Sequence, residues 1–336
     1  EEKPGKKGKW KFLGGIVVLF MGICALSIWL HTRMREEPEL AATTEIRVAS
    51  GLPELILASG EKVLLDTLRK AGMEQPGAVV IYDSVSRSLQ YKKEKYPADE
   101  VEMAYNELRI PKGGEYALIL SDGSKVWMNA ESVLRYPVKF GPGTREVYLE
   151  GEAYFEVSKN EHMPFVVELG KVAVRVLGTS FNARAYQDEK NVYATLAEGK
   201  ICLETGKHGM HLSPEEQGIV NLVNGNISKK KVDIQLYTSW KDGRFAFQEQ
   251  TLEEMMNTLS RWYDIQVFFE HEALRQVTFT GNLKRYDGFN KIIELLEMTE
   301  MAHFKVEGNK IFYYYKGKMV RNKWKRYEGY KYYFGE

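Results

Sequence analysis

Hydrophobic positions along this chain fall into three successive patterns. The first is continuous: Phe12 to Leu30 is a run of nineteen residues without a charge. A helix of that length covers roughly 28 Å at about 1.5 Å per residue, close to the hydrocarbon thickness of a bilayer, so residues 12–30 are predicted to span a membrane once. Lys3, Lys6, Lys7, Lys9 and Lys11 precede the run, whereas Arg33, Arg35, Glu36 and Glu37 follow it. Cationic flanks stay cytoplasmic, which predicts residues 1–11 inside and residues 31–336 outside. A cleaved signal peptide is the rival reading. Its apolar region is usually shorter and ends at a small-x-small site, which Ile28, Trp29 and Leu30 do not provide.

The second pattern is alternation. From Leu52 to about Val232, short runs rich in Val, Ile, Leu, Tyr and Phe are broken by Gly, Asp, Asn and Pro. In Glu115 to Asn129, Tyr116, Leu118 and Leu120 alternate with polar or small residues up to Asp122-Gly123, after which Val126 and Met128 resume. Asp-Gly in that position predicts a hairpin with a type I′ turn. Further strands are predicted at Val79–Tyr82, Glu146–Leu149, Tyr154–Val157, Phe165–Glu168, Val172–Val176, Asn182–Tyr186, Val192–Leu196 and Lys200–Glu204. Leu55–Asp66 aligns without gaps on Leu118–Asn129. Repeated hairpins predict a mainly β domain over residues 51–235, solenoid-like or two-sheeted. The polar stretch 31–50 reads as a linker.

After Ser239 the period becomes helical. Thr251 and Glu254 form a capping box, and Leu252, Met255, Met256, Leu259, Trp262 and Tyr263 recur at helical spacing before a strand at Ile265–Phe269. The unit repeats in Phe289, Ile292, Ile293, Leu296 and Phe304, with Asp287 as the second N-cap. With strands at Phe245–Phe247, Val277–Thr280 and, after the Gly308-Asn309 turn, Ile311–Tyr315, residues 236–316 make a small α+β domain of βαβ-βαβ type. Residues 317–336 are basic and aromatic, and read either as a solvated extension or as a contact for an anionic surface or partner.

Composition narrows the function. The chain is 44% hydrophobic and 28% charged with a formal net charge of +1, ordinary for folded domains and unfavourable for nucleic acid as a bulk partner. Of the two cysteines, Cys24 lies in the membrane run, leaving Cys202 without an intrachain partner. His208-x-x-His211 has no Cys partner and reads as a polar loop. Gly141-Pro-Gly143 and Gly113-Gly114 lack the helix and lysine of a phosphate cradle, and Gly178-Thr-Ser180 lacks the spacing of a nucleophile elbow. No catalytic residue, cofactor or metal site is expected, and the chain is not read as an enzyme.

Five phrases carry a resemblance: Pro111-Lys-Gly-Gly-Glu-Tyr116, Leu120-Ser-Asp-Gly-Ser-Lys-Val-Trp127 running into Asn129-Ala-Glu-Ser132, Gly151-Glu-Ala-Tyr-Phe-Glu-Val157, Pro164-Phe-Val-Val167 and Val176-Leu-Gly-Thr-Ser-Phe-Asn182. In this order they resemble the FecR family of membrane-anchored anti-sigma regulators, in the form carried by Bacteroidetes. Thr278-Phe-Thr-Gly-Asn-Leu283 and the helix with Leu295-Leu296 resemble the secretin and TonB short N-terminal domain. The resemblance implies a single-pass inner-membrane transducer with its bulk in the periplasm. Its partners would be the periplasmic signalling domain of a TonB-dependent outer-membrane transporter and an extracytoplasmic-function sigma factor. The family carries several tens of residues before the membrane, and eleven precede Phe12 here, so the chain is expected to be a fragment lacking most of its sigma-binding segment.

In that scheme Gly113, Gly114, Gly123 and Gly151 are expected as turn residues, and Trp127, Tyr154, Phe155 and Phe181 as core. Docking is expected on the C-terminal domain, by strand addition or on a helix face. The strand assigned is Val277, Thr278, Phe279, Thr280, Gly281 and Leu283, with Thr278 and Thr280 facing away from the core. The alternative is a membrane-tethered module that binds envelope carbohydrate on the aromatics of the β domain.

Overall fold

A computed structural model of the chain describes residues 46, 48–49, 51–65, 72–75, 78–83, 87–93, 104–206, 208–269, 272–298, 303–314, 323–327 and 330–334. The predicted anchor, Phe12–Leu30, lies outside them. No helix among the described residues is long and apolar enough to cross a membrane.

Alternation and turns give the N-terminal part its strands. They are β1 (Glu54–Ile56), β2 (Lys62–Leu64), β3 (Gly72–Gln75), β4 (Ala78–Asp83), β5 (Ser88–Lys93), β6 (Tyr105–Ile110), β7 (Tyr116–Ile119), β8 (Lys125–Met128) and β9 (Ser132–Pro137). There follow β10 (Arg145–Glu156), β11 (Phe165–Leu169), β12 (Val172–Val176), β13 (Ser180–Ala185), β14 (Asn191–Glu198), β15 (Ile201–Thr205), β16 (His208–Leu212), β17 (Glu216–Asn221) and β18 (Ile227–Lys231). One sheet runs β2-β1-β6-β9-β10-β11-β12-β15-β16. The other runs β3-β4-β5-β7-β8-β10-β13-β14-β17-β18. Of the two architectures expected, the two-sheeted one is therefore observed, and the aligned segments Leu55–Asp66 and Leu118–Asn129 are both hairpins, β1-β2 and β7-β8.

The shared strand joins the sheets. Glu146–Leu149 and Tyr154–Val157, read as two strands, fall on the twelve-residue β10 except for Val157, which lies just past its end; β10 pairs with β9 at Tyr148–Glu150, with β13 from Gly151 and with β8 from Ala153. Gly151 has φ +98°, and a Cβ there would strike the Ser132 hydroxyl. A glycine at the crossing lets one strand change sheets, and it is more than a turn residue. The Ser132 hydroxyl accepts the Glu152 amide hydrogen at 2.9 Å. Leu118, Val126, Phe155, Phe165, Val174 and Phe181 pack in the core, and the Phe155 and Phe181 rings stack at 5.1 Å.

Three expectations change here. Gly123 has φ +86°, but Asp122 is not among the residues of positive φ, so the turn is not type I′. The Asp122 carboxylate instead accepts from the Ser124 amide (2.9 Å), the Ser124 hydroxyl (2.7 Å) and buried Arg145 (2.7 Å). His208 and His211 sit on β16, not in a turn; three apart on a strand, they point to opposite faces and cannot converge on one ion. Trp127 is half-buried, not core, and its ring meets that of Tyr154 at a tilt, with centroids 5.9 Å apart.

The C-terminal part follows through α1 (Gln235–Thr238) and a 3-10 turn, Ser239–Asp242. Its elements are β19 (Arg244–Thr251), α2 (Leu252–Trp262), β20 (Gln266–Phe269), α3 (Glu272–Arg275), β21 (Thr278–Lys284), α4 (Phe289–Glu297), β22 (His303–Glu307) and β23 (Lys310–Tyr314). This is the expected βαβ-βαβ order, with β20-β23-β22 as a three-stranded sheet. The capping box is formed: the Glu254 amide donates to the Thr251 hydroxyl and the Thr251 amide to the Glu254 carboxylate, both at 3.2 Å. The second cap is not Asp287. Gly288, with φ +87°, holds the N-cap position of α4, and no side chain caps the helix. Leu252, Met255, Met256, Leu259 and Trp262 of α2 pack with Phe289, Ile292, Ile293 and Leu296 of α4 in a second core.

Both ends of this region differ from expectation. Within the predicted linker, Ile46 is buried in the second core. Within the predicted tail, β24 (Lys323–Tyr327) and β25 (Tyr330–Phe334) form a hairpin, and β25 pairs with β21. This segment, expected as an extension without strands, pairs with a sheet instead.

Candidate docking domain and its seam

β21 carries the residues assigned to partner binding. Val277, just before it, is buried, and its carbonyl accepts the Leu252 amide hydrogen at 2.7 Å. Phe279 is buried and Leu283 packs partly against the second core, while Thr278 and Thr280 are half-buried on the other face, as the alternation predicts. Thr280 is not idle there. Its hydroxyl accepts the amide hydrogen of Glu249, which has φ +49° beside the register shift between Phe247 and Gln250 in β19.

β21 is also not a fully open edge. It pairs with β19 from Thr278 to Lys284, Gly281 facing Phe247, and with β25 at Phe279 and Thr280. On the β25 side, Thr278 and Gly281–Lys284 have no strand partner among the described residues. A second edge is β20, which pairs only with β23 among the described strands. There exposed Phe268 stacks on Phe312 with centroids 5.1 Å apart, a small apolar feature beside backbone that has no second strand partner among the described residues.

Just past β21, the domain is fastened to the β domain through charged groups. Buried Arg285 lies 3.6 Å over the Trp262 ring. It donates to Glu115 Oε2 (2.9 Å), to the Trp240 carbonyl (3.2 Å) and to Asn129 Oδ1. Asn129 Nδ2 donates to Glu152 (2.8 Å), which also accepts from Asn182 Nδ2 (2.9 Å) and Arg184 (3.3 Å). Trp240 Nε1 closes the set on Asn182 Oδ1 at 3.0 Å. Burial lowers the Arg285 pKa, and Glu115 opposes that effect. For Arg184 burial also lowers the pKa, but Glu152 and Glu189 outweigh it and the net shift is upward.

A second cation works beside the first. Arg261, at the end of α2, lies 3.6 Å over the Tyr186 ring and donates to Asp188 (2.7 and 2.9 Å), Glu131 (3.1 Å) and Glu189 (3.3 Å). The Tyr286 hydroxyl donates to Glu115 at 2.5 Å, and burial together with this bond pushes its pKa up to about 12. Pairing and hydrogen bonding offset the cost of burying these charges only in this geometry, so the seam fixes how the two domains face each other.

Two family models match the chain, FecR protein over residues 106–202 and FecR, C-terminal over residues 244–313. Crystal structures at 1.65 and 2.50 Å of a candidate anti-sigma factor from Parabacteroides distasonis ATCC 8503 are each 30% identical, with a TM-score of 0.59. They match over 63% of this chain and over 99% and 100% of their own lengths. The chain belongs to the FecR family. No curated protein matches it. The FecR segment spans β6 to β15 and the FecR C-terminal segment β19 to β23, so the seam joins the two matched regions, with Asn129, Glu131, Asp188 and Glu189 in one and Arg261 and Arg285 in the other.

Sequence reasoning missed Arg261, Arg285, Trp240 and Asp188. Arg261 follows Leu259 and precedes Trp262, so it could be read as a cation at a helix C-terminus. Arg285 lies between Lys284 and Tyr286 with no period to mark it. Phe155 and Phe181 of the FecR motifs are fully buried and are not available as a carbohydrate platform.

Proposed function

We propose that this FecR-family chain is a single-pass inner-membrane regulator. It relays the state of a TonB-dependent outer-membrane transporter to an extracytoplasmic-function sigma factor, with residues 31–336 periplasmic and no catalysis of its own. The observation that carries this reading is the match of one chain to both the FecR and the FecR C-terminal models, joined with a 30% identical candidate anti-sigma factor aligned over 99% of its length. The uncharged run Phe12–Leu30 supports the anchor.

The C-terminal domain is the receiving module in this reading. One side is engaged in the seam, whereas the β20 edge with Phe268 and the Gly281–Lys284 part of β21 carry backbone that an incoming strand could pair with. Titration calorimetry of the full chain in detergent, against the periplasmic signalling domain of the transporter encoded beside it, tests the relay. Micromolar or tighter binding, about −8 kcal/mol or better, supports it, and absence of binding removes this transporter as the partner.

A further inference from the structure

Ile46, Val48 and Ala49 lie at the end of the stretch that leads out of the predicted anchor, and all three touch the C-terminal domain rather than hanging free. Ile46 is buried among the α2 and α4 residues of the second core. Val48 forms an antiparallel bridge with Tyr263, the residue after α2. The Ala49 amide donates to the Trp262 carbonyl at 3.2 Å, and the Gly113 amide, from the β domain, donates to the Arg261 carbonyl at 2.9 Å.

These two bonds have a specific meaning for a helix. The last carbonyls of any α-helix have no partner within it and must be satisfied from outside. Here the Trp262 carbonyl is satisfied by the end of the predicted linker, and the Arg261 carbonyl by the β domain. The fit is close on the other side too. Gly113 has φ +70°, and a Cβ there would strike the Ala49 carbonyl oxygen and lie 2.8 Å from the Ala49 nitrogen and from Val48 Cγ1. Gly113 is therefore the floor of a slot between the Pro111–Gly114 loop and the end of α2.

We propose that Ile46, Val48 and Ala49 form a strap, gripped by the C-terminal domain, through which the state of that domain passes by chain continuity to the N-terminal 45 residues. The strap completes the cap of α2, so it is seated only while the C-terminal domain is formed, and the domain is fully stable only while the strap is seated. Reciprocity is required, because a coupling free energy acts equally in both directions. The signalling role of the strap rests on the proposed relay, whereas its mechanical coupling does not. A partner that distorts the end of α2 would loosen the strap without any rearrangement of the β domain.

Hydrogen exchange on the full chain in detergent tests this with no transporter present, so failure of the strap and failure of the relay are read in separate experiments. Leu296→Ala opens a cavity in α4 and weakens the C-terminal domain. The exchange rate of the Ala49 amide then rises more than about tenfold, together with that of Tyr263, while Val147 in β10 keeps its rate. An Ala49 rate that stays at the wild-type value while that of Tyr263 rises overturns the proposal. Should Leu296→Ala open the β domain as well, Ile46→Ala decides. Faster exchange of the Tyr263 amide supports the strap, and an unchanged rate overturns it.

Discussion

The interiors of the two domains and the seam between them are built by opposite means. Inside, Leu118, Phe155 and Phe181 in one core and Leu252, Leu259 and Phe289 in the other are apolar and fully buried. Between the domains, the groups that meet are Arg285 with Glu115 and Asn129, and Arg261 with Glu131, Asp188 and Glu189. An apolar core tolerates exchange of one hydrophobic group for another of similar volume, because dispersion and burial carry little direction. A buried guanidinium does not, because its charge and the N–H groups that donate need acceptors in fixed places. Apolar burial makes each domain stable, and the charges at the seam make the orientation of the pair unique.

The largest expected effect tests that contrast at its centre. Arg285→Ala leaves the Asn129 side chain, the Glu115 carboxylate and the Trp240 carbonyl without their cation and removes the stack on Trp262. Breaking one side of a buried ion pair costs about 3–5 kcal/mol, to be read as lost stability of the C-terminal domain in urea denaturation. Adding Glu115→Met to Arg285→Met recovers the part of that loss that comes from the uncompensated carboxylate, while Asn129 and the Trp240 carbonyl stay without a donor. If Arg285→Ala costs less than about 1 kcal/mol, the seam behaves as a surface salt bridge and the contrast fails.

The same division explains what could be read in advance. Strands with clean alternation, such as Val172–Val176 and the two strands of the hairpin around Gly123, were legible because strand period is local, although the type of that turn was not. So were both βαβ units, since apolar residues at helical spacing mark α2 and α4 whatever they pack against. β10 read as two strands because its alternation breaks at Gly151, where it changes sheets, and that crossing depends on β8, β9 and β13 together. Arg285 and Ile46 were invisible for a related reason. Their roles come from residues far away in sequence, Glu115 and Asn129 for one and the α2-α4 core for the other, and no local pattern encodes such a meeting. The edge of β21 was read as open because nothing in Thr278–Leu283 announces that β25 pairs with it.

A middle-sized effect is expected in alkali. The Tyr263 hydroxyl, buried beside the seam, donates to the Arg285 carbonyl at 2.9 Å. Burial pushes its pKa from 10.0 up to about 12, with Arg285 opposing and Asp287 assisting. The folded pKa is raised above the unfolded value, so the contribution of the neutral phenol is complete below pH 10 and is lost as pH rises through 12. The C-terminal domain should therefore lose stability over that window, measured by denaturation at stepped pH, and Tyr263→Phe should flatten the slope. An unchanged slope in Tyr263→Phe would show that the alkaline loss arises in another buried tyrosine of this domain, such as Tyr313, whose pKa burial also raises.

The smallest effect separates the centre of the seam from its rim. Arg261 is buried, yet its nearest acceptor, Asp188, has a side chain that is 63% exposed. Water solvates that carboxylate in both states, and Glu131 and Glu189 remain within reach of the guanidinium at 3.1 and 3.3 Å. Asp188→Asn should thus cost under about 1 kcal/mol and lose what effect it has as salt is raised, because solvent-exposed pairs are screened. The Arg285 variants should show no such salt dependence, since Glu115 and Asn129 meet that cation where little water reaches. A cost for Asp188→Asn above about 2 kcal/mol, insensitive to salt, would extend the buried lock out to Asp188 and erase the distinction between centre and rim.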